Sequence, residues 1–213
     1  MARGQEGKWA SGLIGLLTDS NETVKWPAVK ALGQVTAQLF PEDPERARKV
    51  IRQLIWNLND ESGGIGWGMP EALGEILAVI PALQKEYAGL LVAYIAEDGC
   101  FLENEQLQKG VIWGLGRLKT LDEALKTKVF PFLLQALKNP DPSMRGTAAW
   151  TLGELGASEA APFLKTLQKE NRMIKLYIDD QFQEKPLDQW VKEALDKIIE
   201  IGDTNDRERM EMQ

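Results

Sequence analysis

Four of the seven tryptophans, Trp26, Trp67, Trp113 and Trp150, recur about once every forty residues. Each has a charged residue or a glycine four positions away: Lys30, Glu71, Lys109 and Gly146. That combination suits recognition better than catalysis, because indoles and flanking charges dominate binding hot spots. The usual catalytic inventory is missing. Histidine is absent, which removes Ser-His and Cys-His nucleophiles and His-bound zinc, iron and haem. Cys100 is the single cysteine, so no internal disulfide can form. It lies among the acids Glu97 and Asp98, a setting that disfavours a thiolate, and it reads as structural. Asp60, Glu61 and Glu71 are read as ordinary solvated carboxylates. No catalytic residue, metal ligand or cofactor is expected, and the chain is read as a non-enzyme.

A second candidate is the glycine-rich stretch Ser62 to Pro70, with Gly63, Gly64, Gly66 and Gly68. A run of backbone N–H groups at a helix start can hold an anion. This one lacks the Lys-Ser/Thr ending of a phosphate loop and follows a helix, not a strand. The competing reading is a tight loop that places Trp67. Glycine is costly inside a helix and Pro70 fits only near a helix start, so the helix should begin late and leave a notch.

The elements that position these residues come from a repeat. A Leu-Gly landmark recurs at Leu32-Gly33, Leu73-Gly74, Leu115-Gly116 and Leu152-Gly153, with a degenerate copy at Leu195-Asp196. The steps are 41, 42, 37 and 43 residues. A period near forty indicates a solenoid, in which each unit buries its apolar face only by stacking on the next. Apolar spacing of three and four predicts two helices per unit. The first (A) helices are Trp9–Leu17, Pro44–Leu58, Pro81–Ala96, Lys126–Leu137 and Glu159–Leu167. The second (B) helices are Thr23–Leu39, Trp67–Val79, Asn104–Leu118, Ser143–Leu155 and Pro186–Ile201. Residues 173–185 carry a β-prone run on each side of Asp179-Asp180 and predict a small hairpin that caps the last repeat. Residues 1–202 are therefore expected to form one domain, and 203–213 a polar, disordered tail.

The pattern resembles HEAT repeats, particularly the short bacterial type named after phycobilisome lyases. The fourth unit carries it best, with Asp141, Met144, Arg145, Ala148, Ala149, Leu152, Gly153 and Gly156. The resemblance implies an all-α, right-handed α-α superhelix of about five two-helix repeats, with B helices lining the concave face. It implies no single function, since members include scaffolds, transport receptors, bilin lyases, a di-iron hydroxylase and a DNA glycosylase. The hydroxylase type needs histidine ligands, which this chain lacks. Counting back from the landmark glycine puts Trp26 and Trp67 at −7, and Trp113 and Trp150 at −3, facing the groove. Gln34, Glu75, Arg117 and Glu154 extend that stripe. Gly146 would leave room beside Trp150 for an inserted side chain. The alternative is that the indoles lie between neighbouring B helices and serve stacking. Trp9, Trp56 and Trp190 are assigned to core or end-capping.

Net charge of −7 and a pI near 4.9 argue against nucleic-acid and anionic-membrane partners. With no apolar run long enough to span a bilayer, a cytoplasmic setting is expected. The leading expectation is an adaptor that binds a protein or peptide in a groove of Trp26, Lys30, Trp67, Glu71, Lys109, Trp113, Arg117, Gly146, Trp150 and Glu154. A small planar ligand such as a tetrapyrrole, a regulatory-subunit role and a homodimer are the other readings.

Overall fold

The computed structural model describes residues 6–59, 65–96 and 98–211, apart from the side chains of 6–8, 205–206 and 208–211. Ten α-helices and one two-stranded antiparallel sheet are present among them. Contacts divide the chain into two compact units, 1–114 and 115–213.

The first unit contains α1 (Glu6–Leu17), α2 (Glu22–Leu39), α3 (Pro44–Leu58), α4 (Met69–Val79), α5 (Pro81–Ala93) and most of α6 (Glu105–Leu118). Side-chain caps set the helix starts. Asn21 Oδ1 accepts from the Thr23 amide at 3.0 Å, and Asp43 Oδ1 from the Arg46 amide at 3.0 Å. Each satisfies a donor that the first turn leaves open. Helix α4 starts at Met69, two residues later than its sequence boundary. Gly68 precedes it in a left-handed conformation, φ 73°, and a Cβ there would lie 2.5 Å from the Leu17 carbonyl oxygen. Only glycine meets both conditions. Helix α2 packs on α1 and α4, and α4 on α3 and α5. Arg48 of α3 grips Glu86 of α5 through two hydrogen bonds of 2.8 and 2.6 Å. That grip holds the Glu86 carboxyl below its usual range.

The second unit contains the end of α6, α7 (Glu123–Ala136), α8 (Pro142–Glu154), a 3-10 turn at Ser158–Ala160, and α9 (Ala161–Lys165). Strands β1 (Met173–Ile178) and β2 (Gln181–Pro186) follow, then α10 (Leu187–Glu211). Asp179 and Asp180 both have positive φ, 51° and 62°. A two-residue hairpin turn that matches strand twist requires this. Helix α8 is capped by Asp141, whose Oδ1 accepts from the Ser143 amide at 2.9 Å. It ends at Gly156, φ 62°, where the Ala157 amide reaches back to the Leu152 carbonyl at 3.0 Å. Helix α8 packs on α7, β1 and α10. Helix α10 continues to Glu211, so the polar stretch expected to be disordered is helical as far as that residue.

The landmark has a physical cause in both units. Leu32, Leu73, Leu115 and Leu152 are all fully buried. The glycine that follows each is a point of close approach to a neighbouring B helix. A Cβ on Gly74 would lie 2.3 Å from Gly114 Cα, and one on Gly153 would lie 2.7 Å from Ala194 Cα. Any side chain there would push the helices apart.

Candidate functional site

In the first unit the candidate residues gather on α2, α4 and α6. Glu71 and Glu75 lie one turn apart on α4, only 6% and 1% exposed. Buried carboxylates need partners, and α2 supplies them. Lys30 makes a close ion pair with Glu75. Lys25 stands 3.4 Å from Glu71 Oε1 and 4.7 Å from the centre of the Trp26 ring. Glu71 Oε2 is buried and has no hydrogen-bond partner. Gly110 of α6 faces it, and a Cβ there would lie 2.6 Å from that oxygen. Glycine is the residue that leaves the carboxylate its room.

Trp26 of α2 and Trp113 of α6 meet, with ring centroids 4.8 Å apart and planes tilted by 59°. They are 8% and 4% exposed. Trp67, just ahead of α4, stays half-buried, as do Lys30 and Lys109. The indoles of Trp26 and Trp113 are thus buried, while Trp67, Lys30 and Lys109 keep part of their surface in solvent. Of the glycine-rich stretch, Gly66 is buried and Gly68 performs the turn described above. Gly63 and Gly64 lie outside the described residues, as do Asp60 and Glu61.

In the second unit Trp150 is also buried. A Cβ on Gly116 would lie 2.5 Å from its Cζ3, so the indole rests against the end of α6. The room left by Gly146 is filled from within the chain: a Cβ there would meet Ile174 Cδ1 at 2.9 Å. Trp190 Nε1 donates to the Ile174 carbonyl at 3.3 Å, fixing that strand. Glu154 is paired with Lys197 at 3.3 Å, and Arg117 is half-buried. Trp150, Glu154, Lys185, Trp190 and Lys197 line a cavity of about 230 Å³. Ligand pockets usually span roughly 300–1,000 Å³, so it is small for an organic ligand.

One tryptophan assignment changes. Trp56 is 74% exposed on α3, so it belongs to neither core nor cap. Trp190 is buried as expected, and Trp9 is half-buried. What sequence reasoning missed is the pairing of Lys25, the burial of Glu75, and the contacts of Arg145, which it read only as part of the repeat pattern. Arg145 Nη1 donates to the Asn139 and Pro140 carbonyls at 2.5 and 3.0 Å, while Nη2 pairs closely with Glu170. It therefore holds the turn between α7 and α8. Among the described residues, no group of three or more metal-ligating side chains occurs. No helix among them is long and apolar enough to cross a membrane.

Fold and surfaces together define a helical-repeat protein with a small β-hairpin. Residues 101–175 match the HEAT-repeat family model. No curated protein matches the chain in sequence. Among solved structures, a computationally designed armadillo repeat protein for modular peptide recognition is 18% identical, with a TM-score of 0.48. That likeness covers 91% of this chain and 83% of the other. Another designed armadillo repeat protein is 18% identical over 91% and 86%, with a TM-score of 0.47. An engineered protein is 14% identical over 90% and 79%, also with a TM-score of 0.47.

Proposed function

We propose that this chain is a non-enzymatic repeat adaptor that binds a segment of a partner protein on the B-helix face of residues 1–114. What supports the reading is that Trp67, Lys30 and Lys109 are half-buried and lie on or just before α2, α4 and α6, the helices that carry Trp26, Glu71 and Trp113. Accessible indole and charge over a rigid, buried support is the composition of an interaction hot spot. In the second unit, Arg117, Gly146, Trp150 and Glu154 are the corresponding residues, there with the hairpin already seated against Gly146. In this reading the repeat pattern around Asp141, Arg145 and Gly153 is of the phycobilisome-lyase type. The missing histidine supports a binding role over His-dependent catalysis.

Affinity capture from extract of the source cells tests this, with wild type set against Trp67→Ala/Lys109→Ala. Both residues are half-buried, so the fold should survive, and circular dichroism checks that it does. The expected result is a stoichiometric polypeptide retained by wild type and reduced about tenfold or more in the variant. Equal retention by a folded variant would contradict the proposal.

A further inference from the structure

We infer that the first unit has a built site for an arginine side chain of its partner, lying between Trp26, Trp113 and Glu71. The inference deepens the adaptor reading and rests on it. Lys25 already shows that a cation sits there. Its Nζ lies over the Trp26 ring and beside Glu71 Oε1, at 4.7 and 3.4 Å. The ion pair is long for a charged hydrogen bond, and Lys25 keeps part of its surface in solvent. Lys30, by contrast, is held tightly on Glu75. Lys25 is therefore the displaceable cation of the two.

The lysine also leaves the site unfinished. Its ammonium reaches one carboxylate oxygen, and Glu71 Oε2 remains buried without a donor. A guanidinium differs in the two respects that matter. Its planar fork gives two parallel N–H groups, matched to both oxygens of a carboxylate. Its flat face stacks on an indole, where a desolvated cation is held by the ring quadrupole. An incoming arginine would displace Lys25 to solvent and satisfy both oxygens of Glu71. The acidic chain, with a net charge of −7, favours the approach of such a partner.

The test uses the full chain and a short Gly-Ser peptide with one central arginine, compared with the same peptide carrying neutral, near-isosteric citrulline. The indole N–H resonances of Trp26 and Trp113 are followed by NMR. They should shift saturably with the arginine peptide and not with citrulline. Lys25→Gln should tighten binding, a direction that misfolding cannot imitate. Glu71→Gln should weaken it about tenfold or more, as expected for loss of a charged hydrogen-bond acceptor. Equal binding of both peptides, no binding of either, or weaker binding by Lys25→Gln would overturn the inference. Capture from extract separates the two readings. A partner retained equally by wild type, Lys25→Gln and Glu71→Gln would sink the arginine site and leave the adaptor standing. No retained partner would sink the adaptor, and arginine-peptide binding would then show the site alone.

Discussion

Trp26 and Trp113 touch across α4, ring centroid to ring centroid at 4.8 Å, although their own helices, α2 and α6, belong to different repeats. The contact locks the first and third B helices of the unit over the second. Each indole buries a large area, and aromatic pairs add about 0.5–1.5 kcal/mol beyond that burial. Either Trp→Ala change should cost about 3–5 kcal/mol. A double-mutant cycle in urea should return a coupling of about 1 kcal/mol. Strict additivity would mean the rings are only neighbours.

Gly74→Ala places a Cβ 2.3 Å from Gly114 Cα, where backbone and not a flexible tip must give way. Overpacking of this kind costs about 1–3 kcal/mol or more. Gly12→Ala is the control, since nothing lies within 4 Å of its Cβ and it sits inside α1. It should be neutral or stabilising by up to about 1 kcal/mol. Thermal melts that rank the two the other way would refute the close-approach account of the landmark.

Lys30→Met removes the ion-pair partner of Glu75, a carboxylate with almost no exposure. Breaking one side of a buried pair costs about 3–5 kcal/mol, whereas replacing both sides with apolar groups is often neutral. Lys30→Met/Glu75→Met should therefore recover most of the loss in chemical denaturation. A double variant as unstable as the single would show that Glu75 matters for a reason other than its pair.

Ile174→Ala should destabilise the second unit by about 2–5 kcal/mol, because the side chain fills the space above Gly146. Gly146→Ala should be rescued in part by Ile174→Val, which withdraws the Cδ1 atom that the new methyl meets at 2.9 Å. Failure of that rescue in a melting series would separate the hairpin from α8.

Burial pushes the Tyr94 hydroxyl up to about 12, from an ordinary value near 10. The folded state thus holds this proton more firmly than the unfolded chain. The associated stability is fully present below pH ~10 and is lost as pH rises from there through about 12. Ultraviolet titration should show a late-ionising tyrosine that Tyr94→Phe removes. Ionisation of all three tyrosines together near pH 10 would contradict this.

The repeat was legible because one local rule, a buried leucine followed by a glycine at a helix crossing, is written into the chain four times. The hairpin was legible for a similar reason: β-prone runs flank two aspartates that tolerate positive φ. The exposure of Trp56 was legible but misread. It lies two residues beyond Leu54, about 200° round the helix from the buried face of Ala47, Val50, Ile51, Leu54 and Leu58. The Trp26–Trp113 contact and the Lys25–Glu71 pairing were not legible, since each joins residues of different repeats. Counting within one repeat sets a helix face and not its neighbour. The helical stretch beyond Ile201 was hidden because its polar composition gives no apolar periodicity to read.

The most direct test of the adaptor reading is to follow the indole N–H resonances of all seven tryptophans while the captured partner is titrated in. The account predicts that Trp67, Trp26 and Trp113 shift in a saturable way, while Trp56, 74% exposed on α3, does not. A partner that moves Trp56 and leaves the other three unchanged would place binding on α3 and contradict the B-helix face.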